Sequence, residues 1–406
     1  MRGREQAFKL MRITGFFELI ALHTIRQRAL QVAAFGAFVL LSVACSSEQA
    51  VPQSERAVQI IEYPAADESE RSANHISLIK ELALTDDLTR PFHTPQWVAV
   101  DRDGGIYVGD ISESIIHAFD ASGLYRTTIG RPGPGPGEID FLRSIAIVGD
   151  NLVAVTALAQ ITIWDLDGNL REIITKPRSV RGLPQVVEEG ERDSIVMVTG
   201  ESSRWEASFW LHEMSLTGEI IASYGDSLTV PSTVGKPPLP DRDTPLWAVS
   251  PTGAVYTAVP DEYEVSAYAA DGTPTWVLTT DYAAPALDDA DVSRAMEMAR
   301  WGRRSAKRGD YSWPERFKPL RHLNVDGHGH LFVYLFTRDA AYAEGWRVGG
   351  SKWMVDVYSR DGERLFTGTI DGPFWMAAQG DYVYSIEEDP ETAEYAVTRR
   401  RIEEPF

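Results

Sequence analysis

The sequence predicts an all-β chain: a six-bladed β-propeller of four-stranded antiparallel blades, with an N-terminal strand closing the last blade and a partly helical insertion between blades four and five. Five turns recur in one register, Asp120-Ala-Ser-Gly123, Asp165-Leu-Asp-Gly168, Ser215-Leu-Thr-Gly218, Ala270-Asp-Gly272 and Ser359-Arg-Asp-Gly362. Each stands between runs rich in β-branched and aromatic residues, as antiparallel strands do. The turn glycines are 45, 50, 54 and 90 residues apart, and a period of about 40 to 50 residues with four strands per unit is that of a propeller blade. The last interval is long because a segment of different composition, residues 281–319, interrupts it.

Residues 1–44 read as an export signal. Basic residues as far as Arg26 and Arg28 precede an apolar run, Ala29 to Ala44, which is short for a membrane span and ends in small residues. The stretch ahead of that run is long, so Met11 competes with Met1 as the true start. Cys45, the single cysteine, follows at once, with Ser46 and Ser47 behind it. This arrangement resembles the lipobox of bacterial lipoproteins, although Ser42 stands where that pattern usually has Leu and Leu41 sits one place early. The resemblance implies diacylation of Cys45, and Ser46 resembles the outer-membrane sorting pattern. A plain secretory signal with a chance cysteine is the competing reading. Residues 45–75 are polar and acidic, as in a tether, and the expected location is extracytoplasmic, lipid-anchored at the outer membrane or periplasmic face.

The propeller is expected over residues 76–406. Its clearest blade reads Trp97 to Asp101, the turn Arg102 to Gly105, Ile106 to Asp110, Ile115 to Phe119 and Leu124 to Ile129. Further blades span Ser144 to Ile174, Pro184 to Tyr224, Pro245 to Thr280 and Leu320 to Ile370. A sixth begins at Pro373 but supplies three strands, at Phe374 to Ala378, Asp381 to Ile386 and Tyr395 to Ile402. Unpaired sheet edges invite association, so an upstream strand must complete it. Ile76 to Leu84 is the expected strand, and Val58 to Tyr63 the alternative.

The stretches Pro95 to Asp110, Ile116 to Gly123 and Gly130-Arg-Pro-Gly-Pro-Gly-Pro-Gly-Glu138, with an echo at Leu323 to Tyr334, resemble the NHL-type six-bladed propellers, in particular secreted bacterial lipoproteins of that architecture. The resemblance implies the fold and says little of activity, because propellers host many unrelated functions.

Charge excludes one class of partner. Lys and Arg number 39 against 59 Asp and Glu, a formal net charge of −20. Residues 1–44 hold six Lys/Arg and two Glu, so the rest carries −24. Nucleic-acid binding needs clustered Lys and Arg to neutralise phosphates, and none is expected here. With 44% hydrophobic residues the chain can bury a core, and a monomer is expected.

Loop lengths are lopsided. The turns joining first to second and third to fourth strands are tight, whereas the opposite face carries the long segments 130–142, 200–208, 225–244, 281–319, 336–352 and 387–394. Long ordered loops on one side of a rigid scaffold are where binding concentrates. The insertion is the foremost candidate. Asp288 to Trp301 has helix-forming residues, acids in its first turn and Val292, Ala295, Met296 and Ala299 at helical spacing. From Arg294 to Arg321 nine Lys/Arg face three acids, interleaved with Trp301, Tyr311, Trp313 and Phe317. Arg303, Arg304 and Arg308 would supply charge, and Trp301, Tyr311 and Trp313 anchors, toward an envelope protein or an anionic small ligand or glycan. The competing reading pairs the arginines with surrounding acids and packs the Val/Met stripe on the propeller. Arg338, Tyr342 and Trp346, with Arg204 and Trp205, are secondary candidates for a pocket mouth.

An enzyme is the lesser expectation. A catalytic metal site needs three protein ligands and an open position. His93 and His322 fall near inner strands of different blades, His328 and His330 bracket a tight turn on the other face, and His117 and His212 belong to outer strands. A metal-dependent lyase or hydrolase working in the central channel is therefore the alternative, as some six-bladed relatives imply. No cofactor is expected; Ca²⁺ at Asp-rich turns such as Asp165-Leu-Asp-Gly168 competes with a simple Asx turn.

Overall fold

In the computed structural model, residues 58–403 are described apart from 86–91, 158–159, 192, 204–205, 232–235, 238, 240–243, 303–306, 339–351 and 390. The chain is all-β and forms a six-bladed propeller. Blade 1 holds β3 (Pro95–Val100), β4 (Ile106–Asp110), β5 (Ile115–Phe119) and β6 (Tyr125–Ile129); blade 2 holds β7 (Ser144–Val148), β8 (Asn151–Ala157), β9 (Gln160–Asp165) and β10 (Leu170–Thr175). Blade 3 contains β11 (Leu183–Glu189), β12 (Ser194–Ser202), β13 (Glu206–Ser215) and β14 (Ile220–Ser223), with β15 (Leu228–Pro231) on the far end of β13. Blade 4 is built from β16 (Leu246–Val249), β17 (Val255–Ala258), β18 (Glu264–Tyr268) and β19 (Pro274–Thr280), and blade 5 from β20 (Leu320–Val325), β21 (Leu331–Leu335), β22 (Lys352–Tyr358) and β23 (Arg364–Asp371).

Blade 6 has β24 (Ala377–Gln379), β25 (Tyr382–Glu388) and β26 (Tyr395–Glu403), and its fourth strand is β2 (His75–Thr85), antiparallel to β26 from Ser77 opposite Glu403 to Thr85 opposite Ala396. Ile76 to Leu84 thus closes the ring. The alternative segment does something else: β1 (Gln59–Tyr63) runs parallel to β19 as a fifth strand on blade 4.

Burial follows the blades. Ala99, Tyr107 and Ile116 meet Ile145, Leu152 and Trp164 between blades 1 and 2, and comparable clusters fill the next four interfaces. The sixth joins Leu84, Tyr384, Ile386 and Val397 to Val98, Ile106 and Val108, so the last blade packs on the first. Each blade buries both faces against neighbours, which is why alternation along inner strands such as β4 is replaced by continuous burial.

The repeated glycine has a packing reason. Gly123, Gly168, Gly272 and Gly362 lie at φ between 82° and 90°, a region that only glycine visits freely. A Cβ on each would strike the preceding blade: Leu84 at 2.6 Å, Ile129 at 2.9 Å, the Ser223 carbonyl oxygen at 2.5 Å and Ile61 at 2.5 Å respectively. The turn of one blade is thus tucked against the outer strand of the one before. Gly218 shares the backbone shape, but nothing lies within 4 Å. Asp120 and Asp165 lock their turns by accepting backbone N–H groups of Leu124 and Asn169 at 3.0 and 2.8 Å, the Asx-turn arrangement.

Ahead of β2 the chain lies along two blades. After β1 comes the helix α1 (Glu68–Ala73), capped by Asp67, whose carboxylate accepts the Glu70 N–H at 2.8 Å. His75 and Ile76 pair briefly with β23 before β2 turns to β26. Residues 59–73, expected within a tether, are therefore docked on blades 4 and 5. Two further expectations change. The segment 200–208 is largely a hairpin, because β12 and β13 extend to Ser202 and from Glu206. The first strand of blade 6 is shorter than Phe374 to Ala378, since Phe374 and Trp375 turn into the core between blades 5 and 6.

Candidate functional site

The two faces differ in kind as well as length. On the face of tight turns, hairpins are closed by turn hydrogen bonds such as Gly123 N–H to Asp120 C=O at 2.9 Å and Gly253 N–H to Ser250 C=O at 2.8 Å. The opposite face carries β15, the insertion with α2 (Asp289–Gly302) and a short 3₁₀ turn (Arg308–Asp310).

The insertion is anchored from within. Phe317 stacks on Phe336 at 4.3 Å between centroids, joined by Ala284 and partly buried Leu239, Tyr282 and Leu287. Val292 and Met296, the expected apolar stripe, pack against Leu287, Tyr311 and Trp313. The start of α2 is a reciprocal cap: Asp291 N–H donates to Asp288 Oδ1 at 2.9 Å, and Asp288 N–H to Asp291 Oδ2 at 3.0 Å. Arg338 reaches both carboxylates, at 3.3 and 2.9 Å, and donates to the Ala286 carbonyl at 2.5 Å. The Asp291 N–H bond and the Arg338 charge hold the Asp288 carboxyl below its ordinary range. Arg338, a candidate for a pocket mouth, is thus a pin joining the blade 5 loop to the insertion.

The basic island divides. Arg316 donates to the Ala284 carbonyl at 3.0 Å, and Lys318 pairs with Asp261 of blade 4 at 2.9 Å. These two cations secure the base of the insertion. Arg308 pairs with Asp289 at 3.1 Å, but both side chains are mostly exposed, 64% and 89%, where such a pair contributes little and yields easily to a competing anion. Trp313 donates its indole N–H to the Arg308 carbonyl at 3.0 Å and meets Tyr311 edge-on at 6.0 Å. Both rings are half-buried, apolar on one side and open on the other. Arg308, Tyr311 and Trp313 therefore lie together on one short stretch. Arg303, Arg304, Tyr342, Trp346, Arg204, Trp205 and Cys45 lie outside the described residues, as does the Trp301 side chain.

Two features escaped the sequence reading. The link from blade 2 to blade 3 is a turn on the same face with exposed Arg178 and Arg181; it is held by Lys176, which donates to the Pro177 carbonyl at 3.1 Å and also to that of Val180, while the Val180 side chain is buried. Burial lowers the pKa of Lys176. Second, a cleft of about 280 Å³ opens beside the blade 4 loop, lined by Leu228, Thr257, Val259, Asp261, Glu262, Glu264 and Ser266 among others. Three acids in four residues carry no contrast in a chain with 59, so the cleft depends on the strand pairing to be seen.

Among the described residues the histidines do not converge. His93 is 3.3 Å from Glu113, His322 lies against Phe374 at 4.5 Å between ring centres, and His328 and His330 face Asp381 and Asp326, each at 2.8 Å, at the tight-turn face. Among the described residues no three His, Cys, Asp or Glu are grouped to hold a metal ion. Between blades 3 and 4, Glu188 accepts the Trp247 indole N–H at 3.1 Å, and burial pushes its carboxyl up to about 7.

Residues 53–186, the start of the propeller, match the model of DUF5128, a family described as a 6-bladed beta-propeller. Similar solved structures include a Bacteroides fragilis protein of inferred export, 12% identical over 84% of this chain and 99% of that one, with a TM-score of 0.48. A DUF4221 member from Bacteroides vulgatus is 11% identical over 82% and 99%, with a TM-score of 0.46. A gluconolactonase from Xanthomonas campestris is 13% identical over 82% and 91%, with a TM-score of 0.42. No curated protein matches the sequence significantly.

Proposed function

We propose that this protein is an exported, lipid-anchored propeller of the NHL type that binds a ligand or protein through its long-loop face. The observation that carries the reading is the asymmetry of the two faces. Among the described residues, every helix and extra strand after β2 lies on one of them, on a ring whose six apolar interfaces make it a rigid platform. On that face Arg308, beside half-buried Tyr311 and Trp313, offers charge and aromatic surface to an anionic partner in an otherwise acidic protein. Anchoring rests on Cys45 directly after the apolar run, because several acyl chains on one residue give stable attachment.

A pull-down from envelope extract tests the binding reading. Wild type should retain partners in a salt-sensitive manner, and Arg303→Glu/Arg304→Glu/Arg308→Glu or Trp313→Ala, each verified as folded by circular dichroism, should lose them. Identical capture by both variants would remove the insertion from the binding role. Anchoring is tested separately by fatty-acid labelling: wild type should incorporate label, and Cys45→Ala should move to a soluble pool.

A further inference from the structure

The cleft beside the blade 4 loop has the chemistry of a cation site. It lies between blades 3 and 4 at their long-loop end, with Leu228 of β15 on one side and the loop from Val259 to Tyr263 on the other. Thr257 on β17 and Ser266 on β18 are cross-strand partners, so their side chains share one face of the sheet, and both line the cleft. Thr257 is only 3% exposed. Ser266 is half-buried; Thr257, the buried one, makes no side-chain hydrogen bond among the described residues, so its hydroxyl is left to whatever enters the cleft.

The rim is anionic. Asp261 is paired with Lys318 at 2.9 Å. Glu262 and Glu264, both exposed, have no ion pair among the described residues. The carboxylates do not converge as a metal site requires; they are spread along a loop and a strand. Such spacing suits a larger cation whose charge is carried by several N–H donors. Leu228 and Val259 supply an apolar wall for a short carbon chain. The volume, about 280 Å³, lies at the small end for ligand sites, roughly 300–1,000 Å³.

We infer that this cleft binds a small organic cation, an alkyl amine or guanidine, with its charged head between Glu262 and Glu264 and an N–H donated to Thr257 or Ser266. The net charge of −20 raises the local concentration of such cations. The inference rests on the reading of the long-loop face as the binding face, but it uses other residues than the insertion's basic stretch.

Titration calorimetry of the full exported chain with agmatine and with cadaverine tests it. Saturable one-to-one binding of at least one is expected, weakened roughly tenfold or more, about 1.4 kcal/mol, by Glu262→Gln/Glu264→Gln. Thr257→Val should weaken it by about threefold or more, and calcium chloride at the same concentration should not displace it. Absence of saturable binding at millimolar probe, or binding that these variants leave unchanged, would overturn the inference. Displacement by calcium would do so too, in favour of a metal. Partner capture by the insertion is measured independently in the Arg→Glu variant, so loss of either activity leaves the other standing.

Discussion

Arg71 donates two hydrogen bonds to Asp356, at 2.6 and 3.1 Å, with side chains only 3% and 1% exposed, across 285 positions of sequence. The same carboxylate accepts from Tyr263 of the blade 4 loop at 2.9 Å and from Thr367 of β23 at 2.5 Å. One buried anion thus ties the N-terminal helix to blades 4 and 5, and Tyr282, at the root of the insertion, lies under the guanidinium at 5.4 Å. Removing one partner of such a pair leaves an uncompensated buried charge, at about 3–5 kcal/mol. Arg71→Met should therefore lose about 3 kcal/mol in urea unfolding, and Arg71→Met/Asp356→Asn should recover part of it. A single variant as stable as wild type would show the pair to be energetically idle.

Truncation should give a staircase. Removing residues 1–57 leaves β1 and the Arg71 pair intact, so little stability is lost. Removal through Ala73 deletes β1 and α1 and strands Asp356, and a marked fall in melting temperature is expected. Removal through Thr85 takes β2 as well and bares the edge of β26, which should produce aggregation visible by light scattering. Equal melting temperatures for the first two truncated proteins would mean that β1 and α1 contribute nothing to the ring.

Glu188 provides a pH signature. Its carboxyl is raised to about 7 by burial, against about 4.3 in an unfolded chain. Between those values the folded state holds a proton that the unfolded state has released, so stability is lost as pH rises through the window and stays lower above it. Glu188→Gln keeps an acceptor for Trp247 without the titration. It should be more stable than wild type by about 1–3 kcal/mol at pH 8 and no more stable at pH 4. A pH-independent difference between the two would contradict this assignment.

Two turn glycines separate backbone strain from packing. Gly218→Ala places a Cβ in open space at φ 88°, so the cost is that of left-handed backbone, about 1 kcal/mol. Gly272→Ala adds a collision with the Ser223 carbonyl oxygen at 2.5 Å and should cost clearly more in thermal unfolding. Similar losses would mean that the blade-to-blade contact yields without strain.

The architecture was legible because it is written locally and repeatedly: the Asp/Gly turns, the four-strand units and the missing fourth strand of blade 6 all appear in the residues. The helix over Asp289–Gly302 was visible for the same reason, through Val292 and Met296 at helical spacing. What was not legible is what long-range packing decides. Nothing near Gln59–Tyr63 announces that β19, more than 200 residues away, is its partner. Arg71 is one arginine among many until Asp356 is brought to it. Arg316, Lys318 and Arg338 looked like Arg308 in sequence, yet the fold turns those three toward carbonyls and acids of their own neighbourhood. The cleft at Thr257 exists only once β15 lies beside β17 and β18.

The central claim, that the long-loop face is the one that engages a partner, is tested most directly by site-specific photo-crosslinking in intact cells. A photoreactive residue replaces Trp313 on the long-loop face or Thr217 in a tight turn on the opposite face. Discrete adducts from position 313 and none from position 217 are expected; adducts from 217 alone, or equally from both, would contradict the assignment of the working face.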